Sequence, residues 1–417
     1  MELKRVVVTG LGALTPIGNN VPDYWNALLA GVSGADFIKS FDTTKFKTKF
    51  ACELKNFSAE EIFGRKEARK MDPFVHYAMF AVDEAVHDAN LDFPNLDTNR
   101  IGVIWGAGIG GLKTFLDEVS SFAKGDGIPR YNPYFIPKMI LDIAPGHISI
   151  KYGLRGPNFS TVSACASGTN ALIDSFNYIR LGTADVIISG GSEAIINEAG
   201  MGGFNAMHAL STRNDDPKTA SRPFDKDRDG FVAGEGSGAV ILESLEHAKA
   251  RGAKIYAEMI GGGMSADANH ITAPHPEGLG ARLVMTNALR DAGLATGDID
   301  YINVHGTSTP LGDISETRAI VNLFGDDAYK LNISSTKSMT GHLLGAAGAI
   351  EAIAAVLSIQ NDLVPPTINH FTDDPEFDPQ LNFTFNKAQK RLVRTAMSNT
   401  FGFGGHNASV IFKKYEE

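Results

Sequence analysis

Three residues of this sequence, Cys165, His305 and His342, are of types that could carry nucleophilic and hydrogen-bonding chemistry. Cys165 lies among small residues where a helix is predicted to begin, and the amides at a helix start favour a thiolate and lower the pKa of the thiol. A lone cysteine is more often buried and inert, and we interpret Cys52 in that way because no helix start lies beside it. For Cys165 both interpretations stay open on this evidence.

The two histidines occupy turns whose small residues would let a ligand approach the backbone. His305 ends an apolar strand and precedes Gly-Thr-Ser-Thr-Pro, while His342 follows Thr340-Gly341 at the predicted start of a helix. The amides of that helix start would disfavour protonation of His342, and a neutral imidazole can donate a hydrogen bond to a developing oxyanion. A structural turn residue is at least as common for either histidine alone, so the hypothesis depends on the three residues meeting.

The sequence lacks the common metal and nucleotide motifs. It contains no Cys-x-x-Cys, no His-Glu-x-x-His and no close histidine pair with a carboxylate at ligand spacing. The glycine-rich stretch 106–111 has the bare G-x-G pattern without the acidic residue that a dinucleotide fold places about 20 residues later, so we interpret it as a tight turn. The stretch 229–238 is also glycine-rich and has no Walker lysine. A catalytic metal or a nucleotide cofactor is therefore not expected.

Short apolar runs that end in glycine alternate with helix-length segments along the chain. This pattern is typical of an α/β architecture whose strands are buried on both faces. The predicted strands are 6–9, 101–105, 186–189, 257–260, 301–304, 396–399 and 408–412. The predicted helices are 73–89, 166–181, 280–292, 314–324 and 343–360.

The order of these elements repeats weakly. In each part of the chain a strand that ends in glycine precedes a turn of small residues, 163–168 or 335–342, and that turn opens a helix. We therefore predict two similar α/β halves, residues 1–255 with the cysteine and 256–417 with the two histidines. No proline-rich or serine-rich linker separates them, so we expect the halves to pack closely.

Composition sets further limits. The 417 residues are 43% hydrophobic and 21% charged, as in globular proteins, and the formal net charge of −10 argues against a nucleic-acid-binding body. Two cysteines are too few for a disulfide framework and suit a reducing, cytoplasmic compartment. No uninterrupted apolar stretch reaches the roughly 18 residues that a membrane helix needs, so no membrane span is expected.

Six segments together resemble the β-ketoacyl-acyl-carrier-protein synthases, most closely the type II enzymes of dissociated bacterial fatty acid synthesis. They follow the family order over nearly the whole chain, at residues 6–12, 163–168, 221–225 with 229–231, 304–313, 337–342 and 401–405. The resemblance implies the thiolase fold, a five-layer αβαβα arrangement of two duplicated halves. One departure is His406, where several relatives carry Thr, and we expect little consequence because this loop contributes backbone groups.

The resemblance also implies catalytic roles. Cys165 would be the nucleophile that accepts the acyl group, and His305 and His342 would be the pair that holds the malonyl thioester carbonyl. Lys337 is similar to the family lysine that supports the second histidine. Glu351, on the same predicted helix as His342, looks like the acidic partner of that lysine.

Substrate-binding residues are implied in the same way. Phe403 is similar to the mobile gate over the cysteine, and its amide and that of Cys165 would form the oxyanion hole. Thr307 and Thr309 match positions that hydrogen-bond the pantetheine arm, and Phe401 is a further implied substrate-binding residue. The positions implied for the acyl tunnel are Ile109, Phe135 and Ala164, with Phe135 contributed across a dimer interface. Ordinary core packing is the alternative for the tunnel positions. Asn303, Glu351, Ser398 and Asn399 resemble a structural monovalent-cation site of some relatives.

Carrier proteins are acidic, so a docking patch for them should be basic. Arg65, Lys66, Arg69 and Lys70 form such a cluster at a predicted helix start, and Arg130 and Arg213 are further candidates. Charge runs are usually only solvated surface, and the family resemblance favours docking here.

Together these features predict a homodimeric elongating condensing enzyme of fatty acid synthesis, with substrates carried on the phosphopantetheine of acyl carrier protein and no other cofactor. The Cys-His-His set differs from the Cys-His-Asn of initiating synthases and from the two-cysteine thiolases. A ketosynthase of polyketide or aryl-polyene assembly shares every motif and remains an alternative. A non-catalytic partner that only binds or measures chains is an alternative of another class, and acylation of Cys165 would exclude it.

Overall fold

Strands and helices alternate along the chain in the computed structural model, which describes residues 3–416. The strands are β1 (Val6–Leu14), β2 (Asp36–Phe37), β3 (Phe50–Ala51), β4 (Ile101–Gly106), β5 (Asn158–Thr161), β6 (Val186–Glu193), β7 (Gly236–Ser244), β8 (Ala257–Ala266), β9 (Tyr301–Asn303), β10 (Asn332–Ser334), β11 (Leu363–Val364), β12 (Gln389–Lys390), β13 (Thr395–Gly402) and β14 (His406–Lys413). The helices are α1 (Val21–Leu29), α2 (Ala59–Phe63), α3 (Arg65–Ala68), α4 (Pro73–Asp88), α5 (Leu112–Lys124), α6 (Phe135–Met139), α7 (Ile143–Tyr152), α8 (Ser167–Arg180), α9 (Glu198–Ala206), α10 (Leu245–Ala250), α11 (Leu279–Ala292), α12 (Pro310–Phe324), α13 (Lys337–Thr340) and α14 (Ala347–Asn361).

Ten strands form one sheet in the order β10-β9-β13-β14-β8-β1-β7-β6-β4-β5. At its centre β1 pairs antiparallel with β8. Outward from this pair, each side has one antiparallel strand, β7 or β14, followed by three parallel strands. The two sides of the sheet therefore have the same arrangement of antiparallel and parallel strands. The domain boundary predicted at residues 255 and 256 lies between α10 and β8, and its status as a boundary stays a prediction.

Helices α8 and α14 lie between the two sides of the sheet and contact each other. Helix α4 packs on the outer face of β1 and β7, while α11 packs on the outer face of β8 and β14. Three large hydrophobic clusters fill the spaces between these layers. The predicted α/β class and five-layer thiolase fold are thus confirmed.

The strands are buried on both faces, as their apolar runs predict. Val103 and Trp105 belong to the cluster beneath α4, whereas Ile104 between them belongs to the cluster around α8 and α14. Because side chains alternate across a strand, every residue of β4 enters one core or the other. This packing fixes the position at which the strand ends, and with it the loops that form the site.

The predicted start of α8 at residue 166 is correct to within one residue, whereas α14, predicted to start at residue 343, starts at Ala347. A 3-10 turn at Ala164–Ala166 precedes α8, and a second at Leu344–Ala346 precedes α14. Each turn begins with a left-handed residue, Ala164 at φ 50° and Leu344 at φ 46°, a conformation that cannot continue an α-helix. Cys165 therefore lies in a strained turn before the helix rather than in its first turn.

One segment, Leu344–Asn361, is apolar and long enough to cross a bilayer by length and composition, but 89% of it is buried inside the fold. It consists of α14 and the turn before it, which form the middle layer. Its hydrophobicity is accounted for by contacts on all sides with the two sides of the sheet and with α8.

Candidate active site

The Cys165 turn lies between β5 and α8 and is held by the serines that flank it. Ser167 Oγ accepts a hydrogen bond from the Ser163 amide at 2.9 Å and donates one to Ala164 O at 2.7 Å. Burial raises the pKa of the Cys165 thiol to about 12, although Lys337 and the backbone amides of Phe403 and of Cys165 itself act in the opposite direction. The expectation of a lowered thiol pKa is therefore wrong, because desolvation outweighs the amides.

Opposite the thiol lie two histidines from the other side of the sheet. The rings of His305 and His342 are nearly perpendicular, at 86°, with centroids 5.3 Å apart. Burial, together with the positive charge of Lys337, holds the pKa of each ring well below its ordinary value. Both imidazoles are neutral at physiological pH. This agrees with the expectation for His342, but the cause is burial and a lysine rather than a helix start.

The hydrogen bonds of His342 select one tautomer. The amide of Leu344 donates to His342 Nδ1 at 3.3 Å, so Nδ1 is an acceptor and the ring hydrogen lies on Nε2. The His342 amide donates to Val232 O at 2.7 Å, and the Phe231 ring lies edge-on to the imidazole. His342 is thus fixed as a donor through Nε2–H, the form that can stabilise an oxyanion.

Lys337 and Glu351 form a buried ion pair behind the histidines. Lys337 Nζ donates to Glu351 Oε1, and both side chains are almost fully inaccessible. Burial raises the pKa of the Glu351 carboxyl to about 7, against the lowering effect of the lysine. The predicted partnership of the two residues is therefore present, and Lys337 acts on the imidazoles through its charge.

Three oxygens of the implied cation site are buried and have no hydrogen-bond partner among residues 3–416: Asn303 Oδ1, Glu351 Oε2 and Ser398 Oγ. Asn303 and Ser398 are register neighbours on β9 and β13, and α14, which carries Glu351, packs on both strands. Asn399 differs, because its Oδ1 already accepts a hydrogen bond from Ser409 Oγ at 2.8 Å. Buried oxygens without donors are costly, and hard cations prefer such ligands, so the first three residues fit the implied ion.

Cys165, His305 and His342 line one cavity of about 810 Å³. Thr307, Thr309, Phe401 and Phe403 are also in its wall. The two threonine hydroxyls are hydrogen-bonded to each other at 3.0 Å. The volume is that of a site for a medium-sized organic ligand, with the thiol and both imidazoles facing one space.

The family model of the β-ketoacyl synthase N-terminal domain matches residues 3–248, and that of the C-terminal domain matches residues 256–371. The chain belongs to the β-ketoacyl synthase family. Two relatives with the name 3-oxoacyl-[acyl-carrier-protein] synthase 2 match over its length, one from Synechocystis at 51% identity and one from Staphylococcus aureus at 52%. The matches cover 100% and 99% of this chain, respectively, and 99% of each relative.

Solved structures of other ketosynthases share the fold. The ishigamide ketosynthase/chain length factor superposes with a TM-score of 0.91 at 35% identity, over 99% of this chain and all of that one. A β-ketoacyl synthase from Burkholderia phymatum gives a TM-score of 0.91 at 34% identity with the same coverage. A type II polyketide ketosynthase in complex with its acyl-carrier protein gives 0.90 at 33%, again with the same coverage.

Residues 401–403 of this β-ketoacyl synthase, which include the implied gate Phe403, run close to the nucleophile. A side chain at Gly402 would come within 2.6 Å of Ser163 O and 3.1 Å of Cys165 N, so glycine is required for this approach. The same segment brings the Phe403 amide to the sulfur of Cys165. The half-buried Phe403 ring is 6.5 Å from that of Phe204. Two amides beside the sulfur are suitably placed to receive a carbonyl oxygen.

The implied tunnel residues divide into two groups. Ala164 belongs to the nucleophile turn, whereas Ile109 and Phe135 are not among the described residues that line the cavity. Ile109 is exposed, and Phe135 stacks on Tyr131 at 5.3 Å outside it. A single chain therefore does not bring these two residues to the site, and the tunnel stays a prediction.

The basic residues implied for docking lie on the surface and outside the cavity wall that the structure describes. Arg65 is 3.9 Å from Glu60, Lys70 pairs with Glu67 at 2.7 Å and Arg130 pairs with Asp126 at 3.1 Å. Lys66 and Arg69 are exposed on and just after the short α3. Arg213 donates to Asp227 O at 2.9 Å. Lys66, Arg69 and Arg213 are thus the residues of this set that show no ion pair within the described chain, and Arg213 is held by a backbone carbonyl instead.

Sequence reasoning missed two buried carboxylates that shape the site. Glu316 on α12 accepts the amides of His305 and Gly306 at 2.9 and 2.8 Å, which fixes the His305 turn. Glu193 ends β6 and accepts four backbone amides, three from the loop after β4 and one from the turn before α14. A charged residue within an apolar, glycine-rich strand is a signal that could have revealed Glu193.

Proposed function

We propose that the protein is an elongating 3-oxoacyl-[acyl-carrier-protein] synthase, which condenses malonyl-carrier protein with a Cys165-bound acyl chain and extends it by two carbons. The observation that carries this proposal is the single cavity in which a thiol beside two amides faces two neutral imidazoles. The relatives matched over their full length, with the name 3-oxoacyl-[acyl-carrier-protein] synthase 2, support the same substrate class.

Acyl transfer comes first. Cys165 Sγ attacks the acyl thioester carbonyl, a new S–C bond forms, and the bond to the pantetheine sulfur breaks. The raised pKa keeps the resting thiol protonated, so its proton must leave during attack and ends on the departing pantetheine sulfur. The amides of Cys165 and Phe403 receive the oxyanion of the tetrahedral intermediate.

Condensation uses the imidazoles. The bond from malonyl carbon to carboxylate breaks, CO₂ leaves, and the electron pair moves onto the thioester oxygen as an enolate. His342 donates to this oxygen through Nε2–H, and neutral His305 supplies the second donor. The enolate carbon attacks the acyl-Cys165 carbonyl, and the sulfur leaves as a thiolate that takes a proton from solvent.

No cofactor is required in this proposal, because the thioester supplies the activation and the carboxylate supplies the electron pair. The oxygens of Asn303, Glu351 and Ser398 would hold a monovalent cation as a fixed charge beside the Lys337 pair. The two cysteines are free and buried, which suits the reducing cytoplasm in which we place the enzyme.

Carrier docking is assigned to the basic patch around α3. Lys66→Glu should raise the apparent KM for acyl carrier protein by about 3- to 10-fold at low salt, since rim charges mainly steer encounter, and leave a minimal pantetheine thioester unaffected. Lys390→Glu, an exposed lysine on β12, makes the same charge change as a matched control. Equal carrier kinetics for both variants would show that the patch is only solvated surface.

A homodimer is part of the same proposal. β5 is an edge strand of the large sheet, with the exposed Val162 just beyond it. Helix α5 leaves Phe115, Val119 and Phe122 exposed on one face. An open strand edge and an apolar helix face of this kind need covering. Light scattering with size-exclusion chromatography should give twice the 44.6 kDa chain mass, and a stable monomer would contradict this part.

Product analysis tests the reaction itself. The purified protein, acyl-carrier primers of graded length and malonyl-carrier protein should give 3-oxoacyl products two carbons longer than each primer. Repeated extension without reduction of the keto groups would instead indicate a polyketide ketosynthase. Absence of both acyl-Cys165 and product would favour a chain-binding partner without catalysis.

A further inference from the structure

Glu193 is a fully buried carboxylate to which the proposed reaction assigns no step. Its Oε2 accepts the amides of Gly108 and Gly345 at 2.8 and 3.1 Å. Its Oε1 accepts those of Ile109 and Gly110 at 3.1 and 3.2 Å. The four donors come from two segments far apart in sequence, the loop after β4 and the turn before α14.

Two donors on each oxygen occupy all the lone-pair positions of a carboxylate, and this geometry favours the ionised form. Burial acts in the opposite direction and raises the pKa of Glu193, while the four amides lower it. Every hydrogen-bond partner of Glu193 in the described chain is a backbone amide. The site therefore holds a buried negative charge that is balanced by peptide dipoles instead of by a cation. Loss of either carboxylate oxygen would destabilise this arrangement, because a buried N–H without a hydrogen-bond acceptor costs folding free energy.

The two segments that Glu193 joins contact each other too closely for any side chain. A Cβ on Gly345 would come within 2.3 Å of Gly108 N and 2.7 Å of Glu193 Oε2. A Cβ on Gly108 would come within 2.7 Å of that same oxygen and 3.2 Å of Ala164 O, in the nucleophile turn. Glu193, the loop and both turns therefore form one tightly packed unit.

Each segment positions something that the reaction uses. The Leu344 amide, next to Gly345, sets the tautomer of His342. Gly108 of the loop lies against Ala164 in the nucleophile turn, and the loop also carries Ile109, an implied tunnel residue outside the described cavity wall. A movement of the Glu193 carboxylate would therefore displace the imidazole and the loop together.

We propose that Glu193 is a positioning residue that ties the Gly108–Gly110 loop to the Leu344–Ala346 turn, so that the wall beside the nucleophile and the orientation of His342 are set together. The part of this inference that concerns turnover rests on the proposed condensing function. The part that concerns geometry does not, and the two can be tested separately.

Glu193→Gln is the direct test, because an amide group replaces one acceptor oxygen and leaves two backbone N–H groups facing another donor. Malonyl decarboxylation should fall by roughly 10- to 100-fold with little change in KM, as expected when a catalytic donor is misplaced. The ratio of kcat/KM for long and short primers should change as well. Loss of the negative charge should also move the pH profile of Cys165 alkylation by iodoacetamide to lower pH, because Glu193 disfavours the thiolate.

Glu84→Gln is the matched control. Glu84 is a partly buried carboxylate that accepts two backbone amides, those of Ala13 and Val21 at 2.8 and 2.7 Å, and it does not line the described cavity. It should lower the unfolding midpoint while the alkylation profile and primer ratio stay those of the wild type. If folded Glu193→Gln also has the wild-type profile, ratio and decarboxylation rate, the proposal is overturned.

Hydrogen exchange of the wild-type enzyme covers the case in which Glu193→Gln does not fold. Peptides spanning 107–111 and 343–347 should both be protected, in contrast to the exposed segment 126–132. Exchange of either peptide as fast as that of 126–132 would overturn the proposal. If the wild type released no CO₂ from malonyl carrier protein, the proposed function would fail, while exchange and alkylation would still decide the role of Glu193.

Discussion

The turn before α8 and the turn before α14 have the same geometry and different chemical contents. Each is a 3-10 turn of three residues that begins with a left-handed residue and leads directly into a helix of the middle layer. In the first turn the middle residue is Cys165, and in the second it is Gly345. The first turn presents a sulfur to the cavity, whereas the second contributes Leu344 to the cavity wall and has no nucleophilic group.

This difference shows how a duplicated fold can divide one reaction between its halves. The amides of the second turn hold His342 through Leu344 and Glu193 through Gly345. The first turn carries the group that is to be acylated, with its own amide beside the sulfur. In the proposed reaction, one half therefore provides the covalent step, and the other provides the donors for the enolate.

Lys337 acts electrostatically on the thiol and on both imidazoles. Among the proposed substitutions, its removal should cause the largest loss of stability. Its charge lowers the pKa of Cys165 and of both histidines, and it is paired with buried Glu351. Lys337→Met should lower the free energy of unfolding by about 3–5 kcal/mol, because a buried charge loses its partner. Urea denaturation measures this change. The double variant Lys337→Met/Glu351→Leu should recover most of it, and failure to do so would contradict the ion-pair account.

The same double variant should change the pH dependence of decarboxylation. Without the lysine charge the pKa values of His305 and His342 rise toward their ordinary range, so the rings become protonated at a higher pH as the solution is acidified. Decarboxylation of the wild type should be nearly flat from about pH 6 to 8, whereas that of the variant should fall over the acidic part of this range. Identical profiles would show that burial alone keeps the rings neutral.

The contact between α8 and α14 should give an intermediate effect on stability. A Cβ on Gly348 would lie 2.0 Å from Thr169 Oγ1 and 2.8 Å from Thr169 N, so Gly348→Ala should cost about 1–3 kcal/mol of unfolding free energy. The helical Gly203 is exposed, with no atom within 4 Å of its Cβ position. Gly203→Ala should therefore be neutral or slightly stabilising in the same denaturation experiment. Equal midpoints for the two variants would contradict close packing of the two halves.

The smallest effect is expected from a substitution in the cavity wall, at the Thr307–Thr309 pair. Thr309→Val removes one hydroxyl of the Thr307–Thr309 pair and should raise the KM for a pantetheine thioester by about 3- to 10-fold, the usual value of one hydrogen bond. Thr286→Val on α11, whose hydroxyl bonds Arg282 O on the surface, is the control. A fall in kcat with unchanged KM would place the hydroxyl in the chemical step instead of in binding.

The apolar strands and the two small-residue turns predicted an α/β fold of two similar halves, because periodicity is a local property. The thiolase fold and the meeting of Cys165, His305 and His342 were predicted from the family resemblance, which also implied Ile109 and Phe135 at a site where this chain does not bring them.

The physical causes of the site's electrostatics were not predicted correctly. The thiol pKa was predicted in the wrong direction, because Cys165 is desolvated in a cluster whose other members, such as Phe204, Phe231 and Leu344, are far away in the chain. Glu193 could have been noticed as a charged residue in an apolar strand, but its partners are backbone amides, which no side-chain pattern reveals.

The most direct test of this division of labour measures the two half-reactions separately, as ¹⁴CO₂ release from malonyl-carrier protein and as trapped acyl-enzyme. Cys165→Ala should neither load acyl groups nor condense, but it should still release CO₂ because both imidazole donors remain. His342→Ala should retain some acylation of Cys165 and lose decarboxylation, since a preorganised donor is worth about 3–4 kcal/mol. If folded Cys165→Ala released no CO₂, or if His342→Ala decarboxylated at the wild-type rate, the two halves would not divide the reaction in this way.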